Sequence, residues 1–151
     1  MIQSSGNYEL TPSSLPDNNC FQIRSPYSDT QHFVVEYRKQ EGKYASNLTG
    51  NSDGMLIFRV NLDINENGVI DTLDSYDEGE LLEGWTVGGN GLGPPDELYV
   101  YRQNGTSNDN GVGTAAIFSS LTGRTAINDT SNPSSFLHGG VSGGLDISNI
   151  G

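Results

Sequence analysis

Cysteine is almost missing from this chain: Cys20 stands alone, so no internal disulfide can brace the fold. No histidine or basic residue flanks it in sequence to lower its pKa, and it reads as a small buried apolar side chain. Histidine is nearly as scarce. His32 and His138 have no second histidine one helical turn away, which excludes the HExxH arrangement in which two imidazoles grip a zinc ion and a glutamate activates its water. Both read as surface or hydrogen-bonded core histidines. Positive charge is also short. Seven Lys and Arg against nineteen Asp and Glu leave a formal net charge of −12, a field that repels phosphate backbones and anionic lipid. Nucleic acid and membrane surfaces are therefore not expected partners. No apolar run approaches the roughly 20 residues of a membrane span, and MIQSSGNYEL lacks the basic-then-apolar order of a signal peptide.

Turn-forming residues are abundant instead. Twenty glycines and six prolines among many Asn, Asp, Ser and Thr favour short strands over long helices. Seven tyrosines, five phenylalanines and one tryptophan are costly to leave in water, which argues for a folded core. The expected fold class is all-β: short antiparallel strands in a sandwich-like or partly open barrel arrangement, with little helix, in a single domain over 1–151.

Alternation is clearest at Gln31 to Arg38, where Phe33, Val35 and Tyr37 share one face and His32, Val34, Glu36 and Arg38 the other. A second strand is predicted over Met55 to Leu62, with Leu56, Phe58, Val60 and Leu62 opposed to Met55, Ile57, Arg59 and Asn61. The intervening KQEGKYASNLTGNSDG reads as a long hairpin-like connection. If the more apolar faces align, Glu36 and Arg59 share the outer face, where an ion pair contributes about 0.2 to 1 kcal/mol. Weaker strands are predicted at Cys20 to Arg24, Leu82 to Val87, Glu97 to Tyr101, Thr114 to Ser119 and Leu145 to Ile150.

The sharpest signal is the run Asp63-Ile-Asn-Glu-Asn-Gly-Val-Ile-Asp-Thr-Leu-Asp74. Side chains at Asp63, Asn65 and Asn67 alternate, Gly68 permits a sharp reversal, the Val69 carbonyl adds an oxygen, and Asp71 and Asp74 close the shell. This is the spacing of a twelve-residue calcium loop. Asp63, Glu66, Asp71, Asp74, Asp77, Glu78, Glu80 and Glu83 crowd into a stretch without Lys or Arg, and they repel one another unless a cation intervenes. Position 12 holds Asp74 where a bidentate Glu is usual, with Asp77 as a substitute ligand, and the incoming LIFRVNL reads as strand. The site is therefore expected to be structural, not a helix-loop-helix sensor. A site of roughly 10 μM affinity in roughly 1 mM calcium adds about 2.7 kcal/mol by linkage.

Other patterns carry less. Gly50-Asn-Ser-Asp-Gly54 matches the GxSxG nucleophile elbow, but Ser52 leads into a strand where an elbow needs a helix, so it reads as a turn. Gly88, Gly89, Gly91 and Gly93 lack phosphate-loop spacing, and Pro94 and Pro95 follow. The sequons at Asn47, Asn104 and Asn128 fall in expected loops, where they read as ordinary turns. Trp85, Tyr99 and Tyr101 offer a sugar-binding platform as one reading and core packing as the commoner one.

Taken in order, GNYELTP, HFVVEYRKQEGKY, GMLIFRVN, PDELYVYRQNGT, GRTAINDTSNPSSF and GGLDISNIG resemble the C-terminal part of M6-type, immune-inhibitor-A-like secreted bacterial metallopeptidase domains. The resemblance implies export to the outside or the cell surface, a zinc peptidase as parent, calcium as a stabilising ion, and a larger peptidase domain of which this β-rich domain is a piece. It places the zinc-binding HExxH upstream, so no catalytic residue carries over to any position here. The partners implied are the upstream catalytic half and a protein substrate. The expected function is a calcium-stabilised, non-catalytic β portion of such a peptidase. The alternative is a freestanding extracellular carbohydrate-binding or adhesion module.

Overall fold

A computed structural model describes residues 1–41, 52–61, 98–107 and 109–151. Alternation builds the first strands where it is strongest. Strand β1 spans Cys20–Arg24, β2 Gln31–Arg38, β3 Gly54–Asn61 and β4 Leu98–Val100. They form one open antiparallel sheet in the order β1-β2-β3-β4. With a single three-residue 3₁₀ turn at His138–Gly140 as the helical content of the described residues, the fold class is all-β. Arg38 stands opposite Gly54, so the connection between β2 and β3 joins antiparallel neighbours as a hairpin does.

Register decides which side chains meet. Phe33 stands opposite Ile23 on β1 and Arg59 on β3, Val35 opposite Phe21 and Ile57, and Tyr37 opposite Met55. The Phe33 face of β2 therefore continues into the Met55, Ile57 and Arg59 face of β3, which corrects the expected alignment. Arg59 is 0% exposed on the inner face, while Glu36 lies on the outer face opposite Leu56. Glu36 pairs with Arg38 of its own strand. The physical reason is that both alternating sets of β3 carry large apolar residues, and aromatic partners accept the one charged member. The Arg59 guanidinium carbon lies 5.4 Å from the Tyr99 ring centre and 5.8 Å from that of Phe136. A desolvated cation–π contact of this kind contributes about 2 kcal/mol.

Irregular chain covers both faces. Against the inner face pack Phe118, Ile127, Phe136, Leu137 and Leu145, with Ile147 and Ile150 at the margin. Against the outer face Ala116 and Ile117 meet Leu56, Val100 and Phe58. The strands expected at 114–119 and 145–150 are not strands. They touch their neighbours through single bridges, Met55 with Phe118, Ser119 with Arg124, and Ile127 with Ile147. A turn at once diverts the first of these segments: Ser119 N donates to Thr122 Oγ1 at 3.2 Å, and Arg124 N donates to Ser119 O at 3.1 Å. The strand expected at Leu82 to Val87 lies outside the described residues.

The N-terminal segment protects the β1 edge, which would otherwise present unpaired backbone groups to other chains. Ile2 N donates to Gln22 O at 2.7 Å, and the Tyr8 ring meets Phe21 edge-on at 5.8 Å. Cys20 opens β1 and is exposed, not buried as expected. It shares the outer-face parity of Gln22 and Arg24 on the outermost strand of the sheet, beyond the cover that Ala116 and Ile117 give the strands on the other side.

Ile57 lies at the centre of β3 and is 0% exposed, so Ile57→Ala removes atoms that no neighbour can replace without moving. Urea unfolding should show a loss of about 2 to 5 kcal/mol. A loss under about 1 kcal/mol would mean that the inner face is not the packed core.

Candidate functional site

β3 is an interior strand, paired with β2 on one side and β4 on the other, and so is held more firmly than either edge. Its last residue, Asn61, stands two positions before Asp63. The candidate calcium ligands Asp63, Asn65, Asn67, Val69, Asp71 and Asp74 lie outside the described residues. The positions where the chain leaves and rejoins the sheet are described. Val60 near the end of β3 is paired with Leu98 at the start of β4, so residues 62–97 connect hydrogen-bonded neighbours. The length-dependent part of closing such a connection costs about 3 kcal/mol. An ion that ties part of the connection to itself offsets some of that cost.

Asn61 faces inward with Arg59 and Ile57 and is 5% exposed. Its Oδ1 is buried and, among the described residues, accepts no hydrogen bond. Such an oxygen costs about 1 to 3 kcal/mol if nothing satisfies it, so it is an unusual group to keep at the mouth of an acidic connection. Neutral amide oxygens are ordinary ligands of hard cations. The sequence places Asn61 on the β3 face of Met55, Ile57 and Arg59, and the burial of its oxygen is visible only in the structure.

A second polar centre lies in the segment that covers the inner face. Asp129 Oδ1 accepts from Ser135 Oγ at 2.5 Å, Gly143 N at 3.0 Å and Gly144 N at 3.1 Å. Burial acts to raise the pKa of this carboxyl, but the donors Ser135, Gly144, Gly143 and Ser142 outweigh it and hold the group below the ordinary carboxylate value. The carboxylate thereby ties residues 142–144 to the loop after Ile127. Gly143 has to be glycine for this seat, because a Cβ there would lie 1.9 Å from Ser135 O and 2.7 Å from Phe33 Cζ. Nothing in the spacing of NDTSNPSSF announces this cluster.

The remaining candidates are accounted for locally. Tyr99 and Tyr101 are both 0% exposed, so their rings are core and present no platform to a sugar. The Tyr101 hydroxyl donates to Phe136 O, and burial pushes its pKa up, with the charge of Arg59 opposing. Trp85 lies outside the described residues. Ser52 and Asp53 lead into β3, and Asp53 Oδ1 accepts from Gln40 N at 2.7 Å, a turn and not an elbow. His32 sits half-buried on β2, where burial lowers its pKa, and His138 N donates to Gln31 Oε1 at 2.7 Å. Of the sequons, Asn104 takes φ 64° in a turn, and Asn128 Oδ1 accepts from Thr130 N at 2.9 Å; Asn47 lies outside the described residues. Among the described residues, no three His, Cys, Asp or Glu side chains gather to hold a metal, and no helix is long and apolar enough to cross a membrane. Comparison with models of known protein families, with curated proteins and with solved structures yields no match.

The depressed carboxyl gives a pH dependence of definite sign. The Asp129 contribution is complete above the unfolded-state value near about 4 and is lost as pH falls through the lower folded value. In urea titrations, Asp129→Asn should be less stable than the parent by a constant margin from pH 5 to 7, with the margin closing below about pH 4. A margin independent of pH down to 2 would show that the carboxylate charge plays no part.

Proposed function

We infer that this chain is the calcium-stabilised, non-catalytic β portion of a secreted M6-like metallopeptidase. The observation that carries the reading is the position of the acidic loop. Its first ligand, Asp63, follows directly on the interior strand β3, so an ion bound there is anchored to the strand that holds the sheet together. The sequence segments that resemble the peptidase family give further support, because they fall on connected parts of one core. HFVVEYR lies on β2, GMLIFRVN is β3, LYV is β4, and the closing segments supply Ile127, Phe136 and Leu145 to the inner face.

On this reading the chain performs no chemistry alone. Calcium supplies stability, and the chain supports an upstream catalytic half that carries the zinc site and meets the protein substrate outside the cell. Asp63, Asn65, Asn67, Asp71 and Asp74 would hold the ion with side-chain oxygens, and Val69 with its carbonyl. The role of the ion is to relieve the repulsion among the eight carboxylates between Asp63 and Glu83.

Two measurements test the two halves of the proposal. Thermal melts in about 1 mM calcium and in excess chelator should differ by roughly 5 to 15 °C for the parent, and by almost nothing for Asp63→Ala. Identical melts in calcium and chelator for the parent would end the calcium reading. For the family, the genomic sequence preceding the codon for Met1 should encode HExxH in frame; its absence would remove the peptidase parent.

A further inference from the structure

We propose that residues 139–144 form a strap latched by the Asp129 carboxylate, which acidification releases so that the strap lifts off Phe33 while the sheet stays folded. The device is independent of any bound ion. Four of the six residues are glycine, Ser142 is exposed, and Val141, the one apolar side chain of the strap, is 60% exposed. A segment that buries so little apolar surface opens more readily than the sheet beneath it. Gly139 and Gly144, at its two ends, take left-handed φ of 84° and 71°, and a Cβ at Gly139 would meet nothing within 4 Å.

Polar bonds hold the strap down. Gly143 N and Gly144 N donate to Asp129 Oδ1 at 3.0 and 3.1 Å, and Gly143 O accepts from the buried Ser25 Oγ at 2.8 Å. Beneath Gly143 lie Phe33 and Ser135, both 0% exposed. The other ties, Leu137 N to Val141 O at 2.8 Å, Gly140 N to Leu137 O at 2.9 Å and a bridge from Phe136 to Ser142, run to the residues just before the strap. They restrain its start, and the far end depends on Asp129 and Ser25. A carboxylate only accepts, so a proton on Asp129 weakens the acceptor and sets a new donor against existing donors. Burial opposes the charge of Asp129, but the donors Ser135, Gly144, Gly143 and Ser142 outweigh it and hold the carboxyl below the ordinary value, so the strap is shut at neutral pH and released in acid. On the neighbouring elements, the Tyr101 phenol is kept neutral by burial, Arg59 of β3 faces that phenol, and Arg24 and Asp29, either side of the turn that carries Ser25 and Tyr27, pair with each other. His138 precedes the strap and Asp146 follows it.

Amide hydrogen exchange of the full chain, followed by NMR, tests the latch. In the parent at about pH 6, Gly143 and Gly144 should exchange through an opening that denaturant barely promotes. Tyr101 N and Ile127 N, which donate to Ile57 O at 3.0 Å and Ile147 O at 2.9 Å, should exchange through one that denaturant promotes strongly. Asp129→Asn should raise exchange at Gly143 and Gly144 about tenfold or more while Tyr101 and Ile127 stay protected. Lowering the parent towards about pH 2 should bring Gly143 and Gly144 to the protection they have in Asp129→Asn, which itself shows no such dependence. Ser25→Ala removes a neutral bond, so it should speed exchange at the same amides and keep the parental response to acid. That variant and the acid series on the parent decide the matter should Asp129→Asn fail to fold. The proposal is overturned if Gly143 and Gly144 exchange only together with Tyr101 and Ile127, or if their protection is the same at about pH 2 as at about pH 6. It is equally overturned if their protection is lost between about pH 7 and 5, which would assign the release to His138.

Discussion

The guanidinium of Arg59, closed off from solvent against the rings of Tyr99 and Phe136, is the contact on which the rest of the packing depends. A cation is costly to remove from water, and the aromatic faces replace part of its hydration. Those faces come from distant parts of the chain. Tyr99 belongs to β4, Phe136 to the covering segment, and Tyr101 bonds the two by donating its hydroxyl to Phe136 O while its ring meets both edge-on or tilted. Phe33 of β2 joins the same cluster through Tyr101. One cluster therefore fixes the register of β2 against β3, the docking of β4 and the path of the segment that follows Ile127. Because these contacts are far apart in sequence, no single stretch can form the core without the others.

How much of this could be read beforehand follows from what periodicity can report. β1 and β2 were legible to the residue, and β3 and β4 to within one or two, because alternation and β-branched or aromatic composition act locally. The face assignment of β3 was not legible. Met55, Ile57, Arg59 and Asn61 alternate with Leu56, Phe58 and Val60, both sets carry residues that are buried, and the rings of Tyr99 and Phe136 that receive Arg59 come from distant parts of the chain. Cys20 failed for the related reason that burial on an outermost strand depends on what covers the sheet there. The segments 114–119 and 145–150 do supply core, since Ile117, Phe118 and Leu145 are buried. Their strand character was overestimated, because turns and bridges to distant residues break any ladder they might start.

For the candidate site, spacing alone proposes the loop from Asp63 to Asp74, and those residues lie outside the described ones. Asn61 required the structure. An asparagine at the end of a strand is unremarkable in sequence, and becomes informative only when its oxygen is found buried without a donor among the described residues. Asp129 is the opposite case. Its Oδ1 accepts from Ser135 and from the backbone of Gly143 and Gly144, and it reads as the pin that holds residues 142–144 over Phe33.

The distribution of charge links the core to the loop. Of the seven basic residues, Arg59 and Arg102 are buried, and Arg124 lies over the Phe118 ring at 3.8 Å. Arg24, Arg38 and Lys39 are engaged with Asp29, Glu36 and Lys39's near neighbour Glu41. The six basic side chains among the described residues are thus committed to the core or to carboxylates near them in sequence, and Lys43 lies outside the described residues. The eight carboxylates between Asp63 and Glu83 have no Lys or Arg among them, and the dissolved salt around them screens their repulsion only over a Debye length of about 8 Å without removing it. A bound divalent cation cancels charge where it is densest. On the proposed calcium reading, an ion from solution would take the place that these committed basic side chains cannot fill, and the stability of the sheet would then be linked to calcium concentration.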